Sequence, residues 1–337
     1  MADEGRRQKA EGRSRKAEVK SQKAEGRSLA GTLSAFCLLP SDFLRQQGLS
    51  ALVSRAGADV SRELLVDAMH IEARSAAMTA ELGRVAAAFE AASIPLLAYK
   101  GPVLSQQLYG APHLRAYSDL DVIVAPENAA AGEALLRTLG YDEAEPMTAS
   151  QRRLHRRFAG ETLFFRDAFL VDFHWRFSHP QFPLWLPFAD AWARRQMVTI
   201  DGHTLATLGE TDLVLVTASH AAKHLWHRAE TELQLAALRD RPLDWAAIET
   251  AARRAGVWRQ VQLSFFHVAS RPPARGRTDA GGRDLFQLLD RRRDALAALL
   301  LAAFVPTSAD WRGSRLPLPL HWLLRPIRLI GKRLGLS

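Results

Sequence analysis

Two aspartates stand one residue apart in the run SDLDVIV, at positions 119 and 121, with Leu120 between them and Val122-Ile123-Val124 behind. In an extended strand residues i and i+2 point to the same face, so Asp119 and Asp121 are expected to project together. Carboxylates that close repel each other unless a cation meets them. Mg2+ or Mn2+ fits, because a hard ion takes one or two protein carboxylates and fills its shell with water and phosphate oxygens. Asp172, in LVDFHW, is the natural third donor from a neighbouring strand and would complete a two-ion site. His174 lies two residues on and shares its face. Lys100-Gly101-Pro102 and Arg115 precede the acids and bring positive charge and a turn. Each residue also has a plainer use. Asp119 can pair with Arg115 at a strand end, Lys100 can snorkel, and His174 can sit in the core against a carbonyl.

A second constellation is SHAAKHLWHRAE, which sets His220, His224 and His227 at i, i+4 and i+7, one face of a helix, with Lys223 beside them. Zinc is disfavoured, since no glutamate follows His220 and no cysteine helps. His220, Lys223 and His224 are candidates for a substrate cleft between two domains. Packing across that interface is the competing reading.

The elements that must hold these residues are legible in outline. Leu64, Ala68, Ile71, Met78, Leu82, Val85 and Phe89 fall at helical steps, with Ser75 filling the gap. SIPLLAYKG reads as a short buried strand, and Pro102 suits the first turn of a helix running to Gly110. SDLDVIVAP is the next strand, closed by Pro126. Residues 127–139 read as helix ending at Gly140. ETLFFRD and FLVDFHWRF read as a hairpin around RDAF. After about residue 183 the pattern is mainly helical. The order predicts an α+β fold, a small mixed sheet with a helical domain behind it.

The ordered set KG, LYG, R-x-x-SDLDVIV, VDFHW and H-x-x-KH-x-W resembles the bacterial group called uncharacterised nucleotidyltransferases, within the polymerase-β-like nucleotidyltransferase superfamily, over about residues 60–330. The resemblance implies that Asp119 and Asp121 hold the ion carrying the phosphates of a nucleoside triphosphate. It implies that Asp119, Asp121 and Asp172 hold a second ion that activates the attacking hydroxyl. Gly101 would let the backbone approach the triphosphate at a helix N-terminus, and Lys100 or Arg115 would offset charge on the transferred group. The wider superfamily has Gly-Ser or Gly-Gly at the turn where this chain has Gly101-Pro102, which removes one N–H and shifts phosphate binding toward Lys100 and Arg115. An aspartate often follows the histidine helix in the resembled group; Glu232 stands near that place here.

The bulk numbers set bounds. Of the +9 net charge on 337 residues, residues 1–28 carry +4 and residues 312–337 carry +6, leaving −1 for the body. That distribution argues against a nucleic-acid partner, whose binding needs the excess on the folded surface. Cys37 is the single cysteine, so thiolate metal clusters and internal disulfides are out. No secretory signal and no run of about 18 apolar residues is visible, so a cytoplasmic protein is expected.

Three parts follow. Residues 1–28, with QKAEGRS twice, are expected to be a disordered extension. Residues 29–182 are a nucleotidyltransferase-like domain with N-terminal helices. Residues 183–337 are a helical domain with a basic tail, and SRPPARGRTDAGGR at 270–283 is a loop. The tail is expected to dock on the body with its charges solvated, interrupted by Pro317, Pro319 and Pro326; a weak contact with a membrane surface is the other use of such a segment. The expected activity is metal-dependent transfer of a nucleoside monophosphate from a triphosphate to a hydroxyl on a small molecule, saccharide or peptide. The alternative is a catalytically weak nucleotide-binding or scaffolding protein that keeps the fold.

Overall fold

A computed structural model of the chain describes residues 29–56, 60–179, 182, 184–270, 288–311 and 318–333. The expected extension at 1–28, the loop from 271 and the tail segments at 312–317 and 334–337 lie outside the described residues. Helices α1 (Leu29–Phe36), α2 (Ser41–Gln46) and α3 (Ser50–Arg55) precede the long α4 (Arg62–Ala91). Ser61 caps α4 by accepting the Leu64 N–H at 3.4 Å. Leu64, Met78, Leu82, Val85 and Phe89 are buried at the expected spacing. Ser75 fills the gap in the stripe by sharing a 2.5 Å hydrogen bond with the Tyr117 hydroxyl.

The sheet comprises β1 (Leu96–Ala98), β2 (Leu120–Val124), β3 (Asp142–Glu143), β4 (Glu161–Arg166) and β5 (Phe169–His174), in the order β1-β2-β5-β4-β3. Only β2 and β5 run parallel. Helix α5 (Gly101–Tyr109) links β1 to β2, and α6 (Ala129–Thr138) and α7 (Ala149–Phe158) lie between β2 and β4. The hairpin at RDAF is present, turning through Asp167 at φ +53°.

Alternation sorts the strands' side chains into two cores. Leu120, Val122, Val124, Val171 and Phe173 pack with Met78, Leu82, Val85 and Phe89 of α4. Gly132 of α6 allows Phe173 to approach: a Cβ there would sit 2.5 Å from the ring. The opposite face contributes Leu97, Tyr99 and Ile123 to a core shared with residues well beyond 183. Both faces of β2 are therefore covered, which is why it reads as a nearly continuous apolar run and why a buried aspartate in it stands out.

Beyond residue 183 come α8 (Phe188–Ala193), a hairpin of β6 (Gln196–Ile200) and β7 (His203–Thr207), then α9 (Glu210–Lys223), α10 (Ala229–Arg239), α11 (Trp245–Ala255), α12 (Trp258–Ser270), α13 (Arg292–Phe304), α14 (Ser308–Trp311) and α15 (Leu318–Arg333). The fold is α+β, a small mixed sheet followed by helices. This half is mainly helical as expected, and the hairpin is an addition to that reading. Asp201 and Gly202 both take positive φ, +49° and +82°, the geometry of a two-residue turn between twisted strands. The tail docks on the body as expected, but Pro326 does not interrupt it: helix α15 runs through Pro326, anchored on Asp310 by Arg325, which is buried and not solvated, and by half-exposed Arg328. Among the described residues, no helix is long and apolar enough to cross a membrane.

Candidate active site

The parallel pairing of β2 with β5 sets Asp121 directly opposite Asp172, one register step from each strand's apolar neighbours. His174 follows Asp172 on the same face. Asp121, Asp172 and His174 each offer a ligand atom, and these atoms lie within 4.8 Å of one another. Asp121 is 5% exposed and the Asp172 side chain 21%, so the cluster opens to solvent through Asp172.

Charges inside the cluster are closely matched. Lys100 Nζ donates to Asp121 Oδ1 at 2.6 Å. His174 Nε2 lies 3.2 Å from both Asp121 Oδ1 and Asp172 Oδ2, and its Nδ1 lies 3.1 Å from Glu161 Oε2. Burial opposes charge on Asp121, but Lys100 and His174 outweigh it and hold its carboxyl well below the usual range. Burial also opposes a charged His174, yet Asp172, Asp121 and Glu161 raise its pKa well above the ordinary histidine value. The three surrounding carboxylates thus favour the imidazolium form, with both ring nitrogens turned to carboxylate oxygens. Burial works against the Lys100 ammonium too, and Asp121 more than restores it. Tyr99 lies edge-on to His174 with ring centroids 5.4 Å apart, an apolar wall for the pair.

The other expected residues surround this centre. Asp119 is not in β2: it occupies the bend before the strand and stands outside the converging trio, whose third member is His174. Its pKa is raised by burial first, then by Asp121 and Asp172. Gly101 opens α5 at φ +55°, a left-handed conformation that side chains resist, so the turn from β1 into α5 depends on it. Arg115 pairs with Glu230 Oε2 at 3.4 Å, while its buried Nε and Nη1 donors have no hydrogen-bond partner.

His220 lies in the last turn of α9, within reach of the Lys100 and Asp121 charges; burial, then Lys100 and His224, hold it neutral. His224 caps that helix and is lowered to about 4 by burial, Arg228 and Lys223. The two rings meet edge-on at 4.7 Å. Lys223 is exposed, and its charge acts on Glu161 and His220. His227 corrects the one-face reading of the histidines. The helix stops at Lys223, and Leu225 and Trp226 take φ +51° and +56°, carrying His227 off the helix. The turn lets Trp226 donate to Ser264 Oγ at 2.9 Å and stack on His267.

Glu161 was not foreseen from the sequence. Its signal is visible only in register, where it pairs across β4–β5 with His174. Burial would raise its carboxyl, but the His174 hydrogen bond and charge lower it to about 2.

The donors suit a hard divalent cation. Two carboxylates, Asp121 and Asp172, converge from two paired strands with the His174 ring beside them, and Asp119, raised by burial and by those acids, stands at the edge. The orphaned Arg115 donors suit an anion beside it. The profile of the family described as "Uncharacterised nucleotidyltransferase" matches residues 42–271. The chain belongs to that family. It is a nucleotidyltransferase, and the α+β fold is the one such membership implies.

A comparison with curated proteins gave no match. Among solved structures, the chain is similar to the antibiotic-resistance factor ANT(2'')-Ia in solution, at 16% identity and a TM-score of 0.33, over 57% of this chain and 91% of that one. The crystal structure of ANT(2'')-Ia with adenylyl-2''-tobramycin gives the same identity and TM-score over 57% of this chain and 97% of that one. So loose a superposition says nothing about the acceptor used here.

Proposed function

We propose that this nucleotidyltransferase moves a nucleoside monophosphate from a triphosphate to a hydroxyl-bearing acceptor, the acceptor oxygen bonding the α-phosphorus as the α–β P–O bond breaks and pyrophosphate and the hydroxyl proton leave, with Asp121 and Asp172 the residues that would hold Mg2+ or Mn2+. The convergence of Asp121, Asp172 and His174 within 4.8 Å carries the reading. The cation, when bound, neutralises phosphate charge and lowers the pKa of the attacking hydroxyl. Asp119, raised by burial and then by Asp121 and Asp172, joins the carboxylate set once positive charge arrives. Arg115 turns its two orphaned donors to the phosphates. Gly101 lets the first turn of α5 approach them. Lys100 leaves Asp121 for the transferred group, compensating its charge. Glu161 holds the orientation of His174 from Nδ1. Neutral His220, beside Lys100, fits the acceptor side as a hydrogen-bonding group or proton acceptor.

One observation favours the second reading, a weak nucleotide binder that keeps the fold. Lys100 and protonated His174 already neutralise Asp121 and Asp172. Thermal unfolding separates the two. The enzyme reading expects a triphosphate to raise Tm by roughly 3–6 °C at about a hundred times its Kd, only with Mg2+ or Mn2+ present. Asp172→Asn abolishes that shift while the protein stays folded. A shift that ignores both the metal and Asp172→Asn selects the second reading, and no shift with any triphosphate removes nucleotide binding altogether.

A further inference from the structure

Helix α15 is amphipathic, but it is turned the unusual way round. Arg325 is buried, donating to Ala302 O at 2.9 Å and to the Asp310 carboxylate. Arg328 Nη1 donates to Asp310 O at 2.8 Å, and His321 is buried on the same side. The opposite side carries Leu320, Leu323, Ile327 and Ile330 at steps of three and four, a continuous helical stripe. Leu323, Ile327 and Ile330 are 70%, 64% and 60% exposed. The neighbouring α13, which packs on α15, also turns Leu296, Leu299, Leu300 and Phe304 outward. Two adjoining helices thus present their large aliphatic side chains to water, a patch that asks for an occupant.

Charge selects the occupant. Residues 288–337 contain nine Lys/Arg and three acids. Asp310 is taken by Arg325 and Arg328, Asp294 is buried, and Asp290 accepts the Trp258 and Arg259 N–H groups at the start of α12. Among the described residues, Arg292 is exposed, Arg293 is exposed with Nε 3.7 Å from Asp294 Oδ1, and Arg328 is half-exposed beside Asp310, so basic groups outnumber acids beside the stripe. An aliphatic stripe flanked by an excess of basic over acidic groups matches an interface of acyl chains and anionic headgroups. A second copy would bring the same positive charge to the contact, which opposes self-association.

We infer that the outward faces of α13 and α15 seat the protein on an anionic lipid bilayer surface, with Leu323, Ile327 and Ile330 entering the acyl boundary. The helices lie on the membrane and do not span it. The inference is independent of the reaction proposed above.

The test is flotation of the full chain with vesicles of phosphatidylcholine alone and of equal parts phosphatidylcholine and phosphatidylglycerol. The expected result is binding to the anionic vesicles only, weakened by raised salt. The double variant Leu323→Glu, Ile327→Glu, altered only at exposed positions, should bind at least about tenfold more weakly with an unchanged Tm. Equal binding to both vesicle types, or no binding by the wild type, overturns the inference. So does a stable dimer, seen by light scattering, that the double variant dissociates, since a second copy would then own the face.

Discussion

Asp121 is a buried carboxylate whose two partners are both cationic, Lys100 and His174. Removing its charge leaves the ammonium and the imidazolium facing each other in a low-dielectric site. His174 keeps Asp172 and Glu161, while Lys100 keeps less. Asp121→Asn should therefore lower stability by about 2–4 kcal/mol, read as a reduced urea midpoint at constant m. The aspartates, Lys100 and Arg115 could be picked out from residue type and spacing alone. The role of His174 as a donor in the cluster could not, because it depends on which strand pairs with which. Glu161 was hidden for the same reason: only the antiparallel register of β4 on β5 sets it beside His174. Asp119 looked equivalent to Asp121 because strand alternation was carried one residue too far, into a bend.

At the scale of elements, Glu81 of α4 ties three pieces together. It accepts from Arg84 Nε at 3.0 Å, from Arg166 Nη2 of β4 at 2.8 Å and from the Tyr141 hydroxyl. Burial raises its carboxyl pKa, but the hydrogen bonds from Arg84 and Tyr141 and the two guanidinium charges bring it below the usual value. A carboxyl depressed in the folded state contributes stability above its unfolded pKa of about 4.3, and that contribution is lost as pH falls through the folded value. Tm should drop on acidification below about pH 4.3, and Glu81→Gln should flatten that limb while lowering Tm at neutral pH. The 62–91 helix was legible because its apolar steps run for thirty residues. The β6–β7 hairpin carried an equally readable signal, Asp201-Gly202 between QMVTI and HTLAT, that was subsumed in the surrounding helical pattern. Helix α7 had no apolar stripe to betray it: its residues are mostly polar and none is buried, and Thr148 and Gln151 define it through a capping box.

At the scale of the whole molecule, the boundary expected at 182/183 crosses a common core. Leu97, Tyr99 and Ile123 of the first half pack with Leu213, Leu235, Ile248 and Val261 of the second. The N-terminal helices join in, since Phe36, Leu44 and Leu52 share a cluster with Ala229 and Leu233 of α10. We expect the halves to unfold together. Seven of the eight tryptophans lie beyond residue 183, so fluorescence of a Trp175→Phe background reports the second half, and hydrogen exchange of β1 and β2 amides reports the first. The two probes should give one urea midpoint, and separated midpoints would restore independent domains. Composition foretold the mixed class but not this shared core, because apolar runs do not say which partner covers them.

The shared core also orders events at the ribosome. Synthesis runs from the N-terminus, and the strands bearing the acids emerge long before Val261 and Val268, which belong to the layer that closes over them. A nascent chain paused near residue 200 carries both aspartates on a face still open to water, with its lid of helices not yet made. Such a chain is expected to be cleaved by protease in β1 and β2 until the helix carrying Val261 and Val268 has left the exit tunnel, which pulse proteolysis of stalled chains reads.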